Sequence, residues 1–356
     1  MSEEDKGLIN RLRFPLAVMV VFIHCGNRPF MKSGEWFRVL LADVLPAIAV
    51  PLFFLISGYL FFQGLEKWNW NEWRRKMNHR VKTLLIPYLI WVTLYIAYVY
   101  LHQCRLSLGE SGSWLPLDKW IFDNGGIRMW WDSIVTRNSY PLGYETISAH
   151  PFHRVMWFVR DLLVINLLSP VLHWALLQGG LWFLLTLLIL NILQLWPPLH
   201  SLGITCVFYY SAGSYLAIKG KGLTESFSKG KVLWWVIAGT LIVPMVVFRK
   251  SDFYLFVRPI WCIVWSFSFV NLIGLCHEGL SEKKINSLAD STFFIYVTHS
   301  IVLSNIRQAL LVLPSIDLGE VNVFILTGLI SVSACLLIYW LLHRCLPRTC
   351  ALICGR

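Results

Sequence analysis

The feature that most constrains this chain is a succession of apolar stretches, each about as long as a bilayer core is thick. A helix needs about 20 mostly apolar residues to cross that core. On this basis the 356-residue chain contains about ten spans. They lie at 8–28, 39–63, 83–103, 155–177, 180–196, 203–219, 232–248, 254–276, 288–312 and 321–343. Only 14% of the residues are charged, where soluble domains carry about 25%. The sequence therefore predicts an all-α, polytopic membrane helical bundle.

Lysine and arginine are concentrated in the loops on one side of these spans. The even-numbered loops and the C-terminal tail hold Lys67, Arg74, Arg75, Lys76, Arg80, Lys82, Lys219, Lys221, Lys229, Lys231, Lys283, Lys284, Arg344, Arg348 and Arg356. Short cytoplasmic loops carry an excess of positive charge, so both termini are predicted in the cytoplasm. The net charge of +11 arises from these loops and not from one basic face, which argues against a nucleic-acid partner.

One large extramembrane segment, 104–153, interrupts an otherwise continuous membrane domain of residues 1–356. With the N-terminus inside, this loop is extracytoplasmic. Its aromatic residues are Trp114, Trp120, Trp130, Trp131, Tyr140 and Tyr144. They allow two interpretations: a platform that stacks on sugar rings, or an aromatic belt at the membrane interface.

The first span carries two ionisable residues on one face. Arg13 opens an apolar run and His24 lies eleven positions later, which is close to three helical turns. The two are therefore separated by roughly 16 Å along the axis. If Arg13 lies at one membrane boundary, His24 lies near the bilayer centre. An ionisable group at that depth is costly and indicates a functional site.

Other charges also persist within or beside the spans. Arg160 and Asp161 are adjacent, so on a helix they point about 100° apart and are not expected to neutralise one another simply. Arg258, Asp290 and Arg307 lie near span ends and are interpreted as interhelical hydrogen-bonding groups or residues that extend to the interface. Each of these, like His299 in the ninth span, has both a structural and a functional interpretation.

The nine cysteines are scattered and have no metal-type spacing, so neither a disulfide framework nor a zinc site is predicted. Cys25 follows His24 and is a conceivable nucleophile. A buried cysteine, however, usually behaves as a small inert hydrophobe. No permanently bound cofactor and no metal are expected.

Four stretches together resemble the acyltransferase 3 family of integral membrane proteins. They are the Arg13 to His24 spacing, Pro51–Leu60 with its Ser57-Gly58 pair, the basic entry Arg80-Val-Lys-Thr-Leu-Leu-Ile-Pro-Tyr88, and Trp157-Phe158 taken with Ser291–Ser300. The first is the most specific of the four. The chain departs from the family pattern in lacking the common acidic residue just before the first arginine, where Asn10 and Leu12 stand nearby.

The resemblance implies an enzyme that moves an acyl group, usually acetyl, from cytoplasmic acyl-CoA to a hydroxyl group of a cell-surface polysaccharide or glycolipid. It also implies a bacterial cytoplasmic (inner) membrane, with membrane lipid as a further partner. Acyl-CoA is then a co-substrate. The sequence contains no feature from which an oligomeric state can be predicted.

The resemblance also implies roles for individual residues. Arg13, Arg80 and Lys82 would bind the phosphates of CoA, because these cations lie on the predicted cytoplasmic side. His24 would be catalytic with Arg13, either as a general base or as a carrier of the acyl group. Three residues are candidates for substrate binding: Trp157 by stacking on a sugar, Arg160 by stabilising developing negative charge, and His299.

Two other classes of function fit the composition. A transporter would move a glycan or small molecule without catalysis, although the chain shows no transporter-type internal repeat. A membrane sensing or scaffold module would retain a vestigial site. Consumption of acyl-CoA distinguishes an enzyme from both.

Overall fold

A computed structural model of the protein describes residues 1–25, 34–122, 153–197, 201–275, 281–312 and 319–356. Regular structure in these ranges is entirely helical, which confirms the predicted all-α class. Six of the described helices are long and apolar enough to span a bilayer. Two shorter apolar helices, Ile204–Ile218 and Lys231–Val247, accompany them. The chain is therefore a polytopic helical membrane protein, while the total of about ten spans stays a prediction.

The described helices are named here in chain order. They are α1 (Glu3–Cys25), α2 (Glu35–Phe62), α3 (Trp70–Arg80), α4 (Ile86–Ser111), α5 (Leu117–Phe122), α6 (Trp157–Leu167), α7 (Ser169–Ile192), α8 (Ile204–Ile218), α9 (Leu223–Ser228), α10 (Lys231–Val247), α11 (Phe253–Leu275), α12 (Glu282–Val312), α13 (Gly319–Cys345) and α14 (Pro347–Ile353). A π-helical segment, Val81–Leu85, joins α3 to α4.

Two predicted boundaries are refined by the structure. Residues 104–111 continue α4, which ends before Gly112 in the left-handed conformation (φ 68°), so the loop predicted at 104–153 begins later. Within it, Trp120 is buried against Tyr100, whereas Trp114 is exposed. The other loop aromatics named above lie in 123–152, outside the described residues. The predicted break between spans 155–177 and 180–196 coincides with a kink at Gly180 (φ 50°, ψ −126°).

The middle of α2 departs from regular α-helix over Val39–Ile48, and prolines are one cause. Pro51 has no N–H to donate to the carbonyl oxygen of Ala47, and the Cys262 thiol of α11 lies 3.6 Å from that oxygen. Trp261 and Trp265 of α11 donate their indole N–H groups to the carbonyl oxygens of Val44 (2.7 Å) and Leu45 (2.9 Å). These bonds satisfy backbone groups in the apolar interior and dock α11 onto α2.

The crossing of α2 and α8 depends on glycine at two positions. A Cβ atom on Gly58 would lie 2.2 Å from the carbonyl oxygen of Tyr210, and one on Gly213 would lie 1.9 Å from that of Leu55. Both of these neighbouring atoms belong to the backbone, so they could move away only if the helices themselves shifted. Gly58 therefore has a packing role, because it allows the backbones of α2 and α8 to approach closely.

The first helix, α1, lies at the centre of the bundle and packs on α2, α12 and α13. It runs parallel to α12, because Asn10 donates to Asn286 (2.9 Å) near one end and His24 meets His299 farther along. Asp5, in its first turn, is buried and accepts hydrogen bonds from Tyr59 (2.8 Å) and from the backbone N–H of Thr224 (2.9 Å). These contacts fix the axial position of α1.

Candidate functional site

A basic cavity of about 500 Å³ opens at the end of the bundle where α1 begins. Its lining residues come from α1, the last turn of α2 and α3: Arg13, Leu60, Phe61, Arg75, Lys76, His79 and Arg80. Four of these seven are permanently cationic at neutral pH. The cavity therefore suits an anionic ligand with some apolar surface.

The short helix α3 positions most of these cations. Its N-cap, Asn69, accepts from the backbone N–H groups of Asn71 (2.9 Å) and Glu72 (3.3 Å). Lys76 and Arg80 are one helical turn apart, so they lie on one face. Both cations lie over the ring of Phe61, at 6.0 and 5.9 Å from its centroid.

Lys76 is affected first by its burial in the cavity and then by the neighbouring positive charges. Lys76 lies in α3, before the apolar span predicted at 83–103. Its ammonium group donates a hydrogen bond to the carbonyl oxygen of Gln63 (2.8 Å). Burial, followed by the charges of Arg80 and Arg75, lowers the pKa of Lys76. A bound anion would relieve this repulsion.

An acidic residue lies beside this cluster. Asp290 of α12 forms a 2.8 Å ion pair with Arg356, just beyond α14. The charged groups of Asp290, Arg356 and Arg80 all lie close enough to interact electrostatically with the guanidinium group of Arg13. Arg356 thus lies at the same end of the bundle as Arg13, in agreement with the prediction that the two termini lie on one side of the membrane. Asp290 is a partly exposed ion-pair residue, as its structural interpretation expected.

A second group of polar residues lies deeper in the bundle, where α1 meets α12. The imidazole rings of His24 and His299 are 4.9 Å apart between centroids. His24 is half-buried, and His299 is fully buried. The packing of two parallel helices thus pairs two of the histidines that the sequence singled out.

His299 is held by its own helix. Its Nδ1 lies 2.7 Å from the carbonyl oxygen of Tyr296 and 3.1 Å from that of Ile295. On the next residue, Ser300, the hydroxyl lies 3.3 Å from Nε2 of His153. His153 is also buried, and its ring stacks on Tyr95 at 4.3 Å. A third histidine therefore lies near the pair.

Arg160 and Asp161 correct one expectation from the sequence. The prediction that these neighbours would not neutralise one another is wrong, because Nη2 and Nε of Arg160 lie 2.9 and 3.1 Å from Oδ1 of Asp161. The long arginine side chain folds back far enough to overcome the divergence of the two Cα–Cβ bonds. Both side chains are buried, where an uncompensated charge would be costly.

The remaining predicted residues lie near these two groups or outside them. Trp157 begins α6 and packs partly buried beside Phe158, which contacts Phe54 of α2 and Tyr296 of α12. Lys82 is exposed on the π-helical segment and does not line the basic cavity. Its assignment to CoA binding stays a prediction, as do the roles of Trp157 and Arg160.

Three further residues have positions that are typical of structural roles. Arg258 is exposed near the start of α11. Asp43 pairs with Arg249 at 3.1 Å and with Arg38 at 3.7 Å. Cys25 is buried in an apolar cluster that includes Ala42.

Sequence reasoning missed Arg75, Lys76 and His79 as cavity residues and His153 as a neighbour of the histidine pair. The basic face of α3 was visible in the sequence and was interpreted only as a topology signal. No local signal identifies His153, because its contacts are with residues far away in the chain.

Comparisons with known proteins agree with the resemblance seen in the sequence. The family model described as "Acyltransferase domain", that of acyltransferase family 3, matches residues 8–340. The chain is 31% identical over 271 residues to the succinoglycan biosynthesis protein ExoH of Rhizobium meliloti (strain 1021), covering 73% of this chain and 66% of that protein. It is 27% identical over 166 residues to the serine/alanine racemase of Enterococcus gallinarum, covering 46% of this chain and 23% of the racemase. No solved structure matches.

Proposed function

Because the chain belongs to the acyltransferase 3 family, we propose that it is a membrane O-acyltransferase that modifies a cell-surface polysaccharide. Its similarity to a succinoglycan biosynthesis protein supports this acceptor class. The chain spans about two-thirds of that relative's length, so the acceptor and the donor both belong to the proposal.

The observation that carries the proposal is the placement of two sites on one helix. Arg13 lines the basic cavity, and His24, roughly 16 Å farther along α1, meets His299. An acyl-CoA molecule has a matching division, with phosphate groups at one end and a thioester at the end of a long pantetheine arm. The cavity would hold the phosphates while the arm presents the thioester to the histidines.

The chemistry follows from these groups. The acceptor hydroxyl attacks the thioester carbonyl, its proton passes to a neutral imidazole, and the C–S bond breaks to release CoA. His24 acts as the base for direct transfer or carries the acyl group between donor and acceptor. Arg160 would stabilise charge on the tetrahedral intermediate, and Trp157 would stack on a sugar ring of the acceptor. Acetyl is the proposed acyl group.

The donor would enter from the cytoplasm and the acceptor would lie on the opposite side of the bacterial inner membrane. The basic cavity supports this arrangement, because it lies at the end of the bundle where the positive-inside rule predicts the cytoplasm.

The direct test measures CoA released by purified protein in nanodiscs, with acetyl-CoA and succinyl-CoA as donors and base-deacylated succinoglycan as acceptor. Wild-type protein should release CoA and acylate the polymer, and His24→Ala should do neither. His102→Ala, which alters an exposed histidine of α4, is the matched control and should keep wild-type activity.

Three outcomes are informative. Release of CoA that vanishes only in His24→Ala supports the proposed reaction. Turnover unchanged by His24→Ala contradicts the role of that residue. No turnover in the wild type, with donor binding measured in the same sample, contradicts the enzyme and favours a transporter.

A further inference from the structure

The imidazole of His299 has one nitrogen that the described residues leave without a hydrogen-bond partner. The side chain is fully buried, and its Nε2 has no partner within the part of the chain that the structure describes. Buried polar nitrogens are nearly always hydrogen-bonded, and leaving one unpaired is costly. An exception beside a proposed catalytic residue requires an explanation.

The other ring nitrogen determines what Nε2 can do. Nδ1 lies 2.7 Å from the carbonyl oxygen of Tyr296, and a carbonyl only accepts hydrogen bonds. Nδ1 therefore carries the proton, and in a neutral imidazole Nε2 then holds a lone pair. The position of His299 on its own helix thus fixes a tautomer whose free nitrogen is a base.

The buried histidines differ in this respect: Nδ1 of His153 also lacks a hydrogen-bond partner among the described residues, whereas Nε2 of His173 is occupied. His173 is buried to a similar degree, but its Nε2 lies 2.9 Å from the carbonyl oxygen of Leu65. Its ring also stacks on Phe62. His173 therefore has a structural role that occupies the nitrogen, whereas the equivalent nitrogen of His299 stays available.

The surroundings of Nε2 indicate which group would occupy it. The lone pair requires an O–H or N–H donor, and Nε2 lies on the edge of the ring remote from the Nδ1 bond to the α12 backbone. The centroid of the half-buried His24 ring is 4.9 Å away. A small hydroxyl group bound at Nε2 would share this site with His24, where the proposed function places the acyl group.

We propose that Nε2 of His299 is a second catalytic base of this site, which binds the acceptor hydroxyl and takes its proton. This inference rests on the proposed function and deepens it. The hydroxyl oxygen bonds to the acyl carbon as its proton moves to Nε2. The bond from that carbon to its leaving group then breaks, and the proton returns from Nε2 to the leaving group. The leaving group is the CoA sulfur in direct transfer, or the His24 nitrogen if His24 carries the acyl group.

Two substitutions separate a base from a packing residue. His299→Asn retains a donor near the position of Nδ1, and His299→Gln places a polar amide near the position of Nε2, but neither side chain is basic. His173→Asn is the matched control for loss of a buried histidine. Each variant is purified in nanodiscs, and acyl transfer to base-deacylated succinoglycan is measured together with equilibrium binding of acetyl-CoA.

The expected result is a fall in kcat of about 100-fold or more in both His299 variants, the usual lower range for loss of a general base. The affinity for acetyl-CoA should stay within about threefold of the wild-type value, because the cations that line the basic cavity, which are proposed to bind CoA, do not contact His299. The His173→Asn variant should keep wild-type activity. Activity in His299→Gln near the wild-type level, with the wild type active, overturns the base assignment and leaves the proposed function intact. An inactive wild type that binds acetyl-CoA contradicts both.

If His299→Asn and His299→Gln fail to fold, Ser300→Ala provides a second measurement. It removes the hydroxyl group that contacts His153 and leaves the Nδ1 bond of His299 unchanged. A base at His299 predicts that this variant keeps kcat within about tenfold of the wild type. A loss of about 100-fold or more in kcat, in a variant that still folds and binds acetyl-CoA, would instead place the proton transfer on the Ser300–His153 pair and overturn the assignment.

Discussion

The basic cavity and the histidine pair lie on the same helix but are built in opposite ways. The cavity gathers four cations around one opening, and these cations are at least partly exposed. The histidine pair consists of single groups, one of them fully buried. Under the proposed function, several charges would hold the anion together, so losing one is expected to change affinity by degrees. A single buried nitrogen has no substitute, so its loss changes the rate.

The largest expected effect is at His24. His24→Ala should lower kcat by about 100- to 10,000-fold, the usual contribution of a general base or nucleophile. The Kd of acetyl-CoA should change by less than about threefold, because the cavity remains intact. Steady-state kinetics and equilibrium binding in nanodiscs measure the two quantities separately. A weakened Kd with unchanged kcat would place His24 in donor binding and remove the contrast between the two regions.

Breaking the buried ion pair between Arg160 and Asp161 should have the next largest effect, and this effect should be on the stability of the protein. Arg160→Met removes the buried cation that pairs with Asp161 and should destabilise the protein by about 3–5 kcal/mol. Removing both charges in Arg160→Met with Asp161→Leu should recover most of that loss. Thermal unfolding in nanodiscs measures it. A stable Arg160→Met variant would show that Asp161 has a sufficient partner elsewhere.

A cavity cation should have a smaller, graded effect. Arg80→Gln should weaken acetyl-CoA binding by roughly 10- to 100-fold, because a hydrogen bond to a charged group contributes roughly 1.5–3 kcal/mol. Its kcat should stay within about threefold. Arg74→Gln, an exposed position on α3 outside the cavity lining, is the control. Equal effects of the two substitutions would mean that the helix attracts anions generally without forming a site.

The smallest effect is expected from the carboxylate beside the cavity. Asp290→Asn breaks a partly exposed ion pair with Arg356 and should change the free energy of unfolding by less than about 1 kcal/mol. It also removes a negative charge that acts on Arg13, so the Kd of acetyl-CoA should fall slightly. This is a direction opposite to that of Arg80→Gln. Weaker binding would indicate that Asp290 positions Arg13 for the ligand.

Much of the fold was predictable because it depends on local patterns. Apolar stretches of bilayer length, separated by charged loops, identify a helical membrane protein without any knowledge of packing. The helical period places Arg13 and His24 on one face of α1, and the structure keeps them on that helix. The kink at Gly180 was also visible, as a boundary between two predicted spans.

The candidate site was only partly predictable, because its contacts join distant parts of the chain. His24 and His299 were singled out separately, but the sequence contains no pattern that pairs them. Arg75, Lys76 and His79 belong to the cavity because α3 lies against the end of α2, which is a packing outcome. The helical angle between adjacent residues suggested that Arg160 and Asp161 would stay apart, but burial favours their pairing.

The sequence by itself determined the class of this protein, the spacing along α1 and the family. These follow from composition, helical period and motif, all of which act over a few turns. Tertiary structure alone decided the partner of His24, the cluster of cations around Arg13, and the His299 nitrogen that has no partner among the described residues. Each depends on which helices pack together, and this is settled by close contacts such as Gly58 against Tyr210 between residues far apart in the chain.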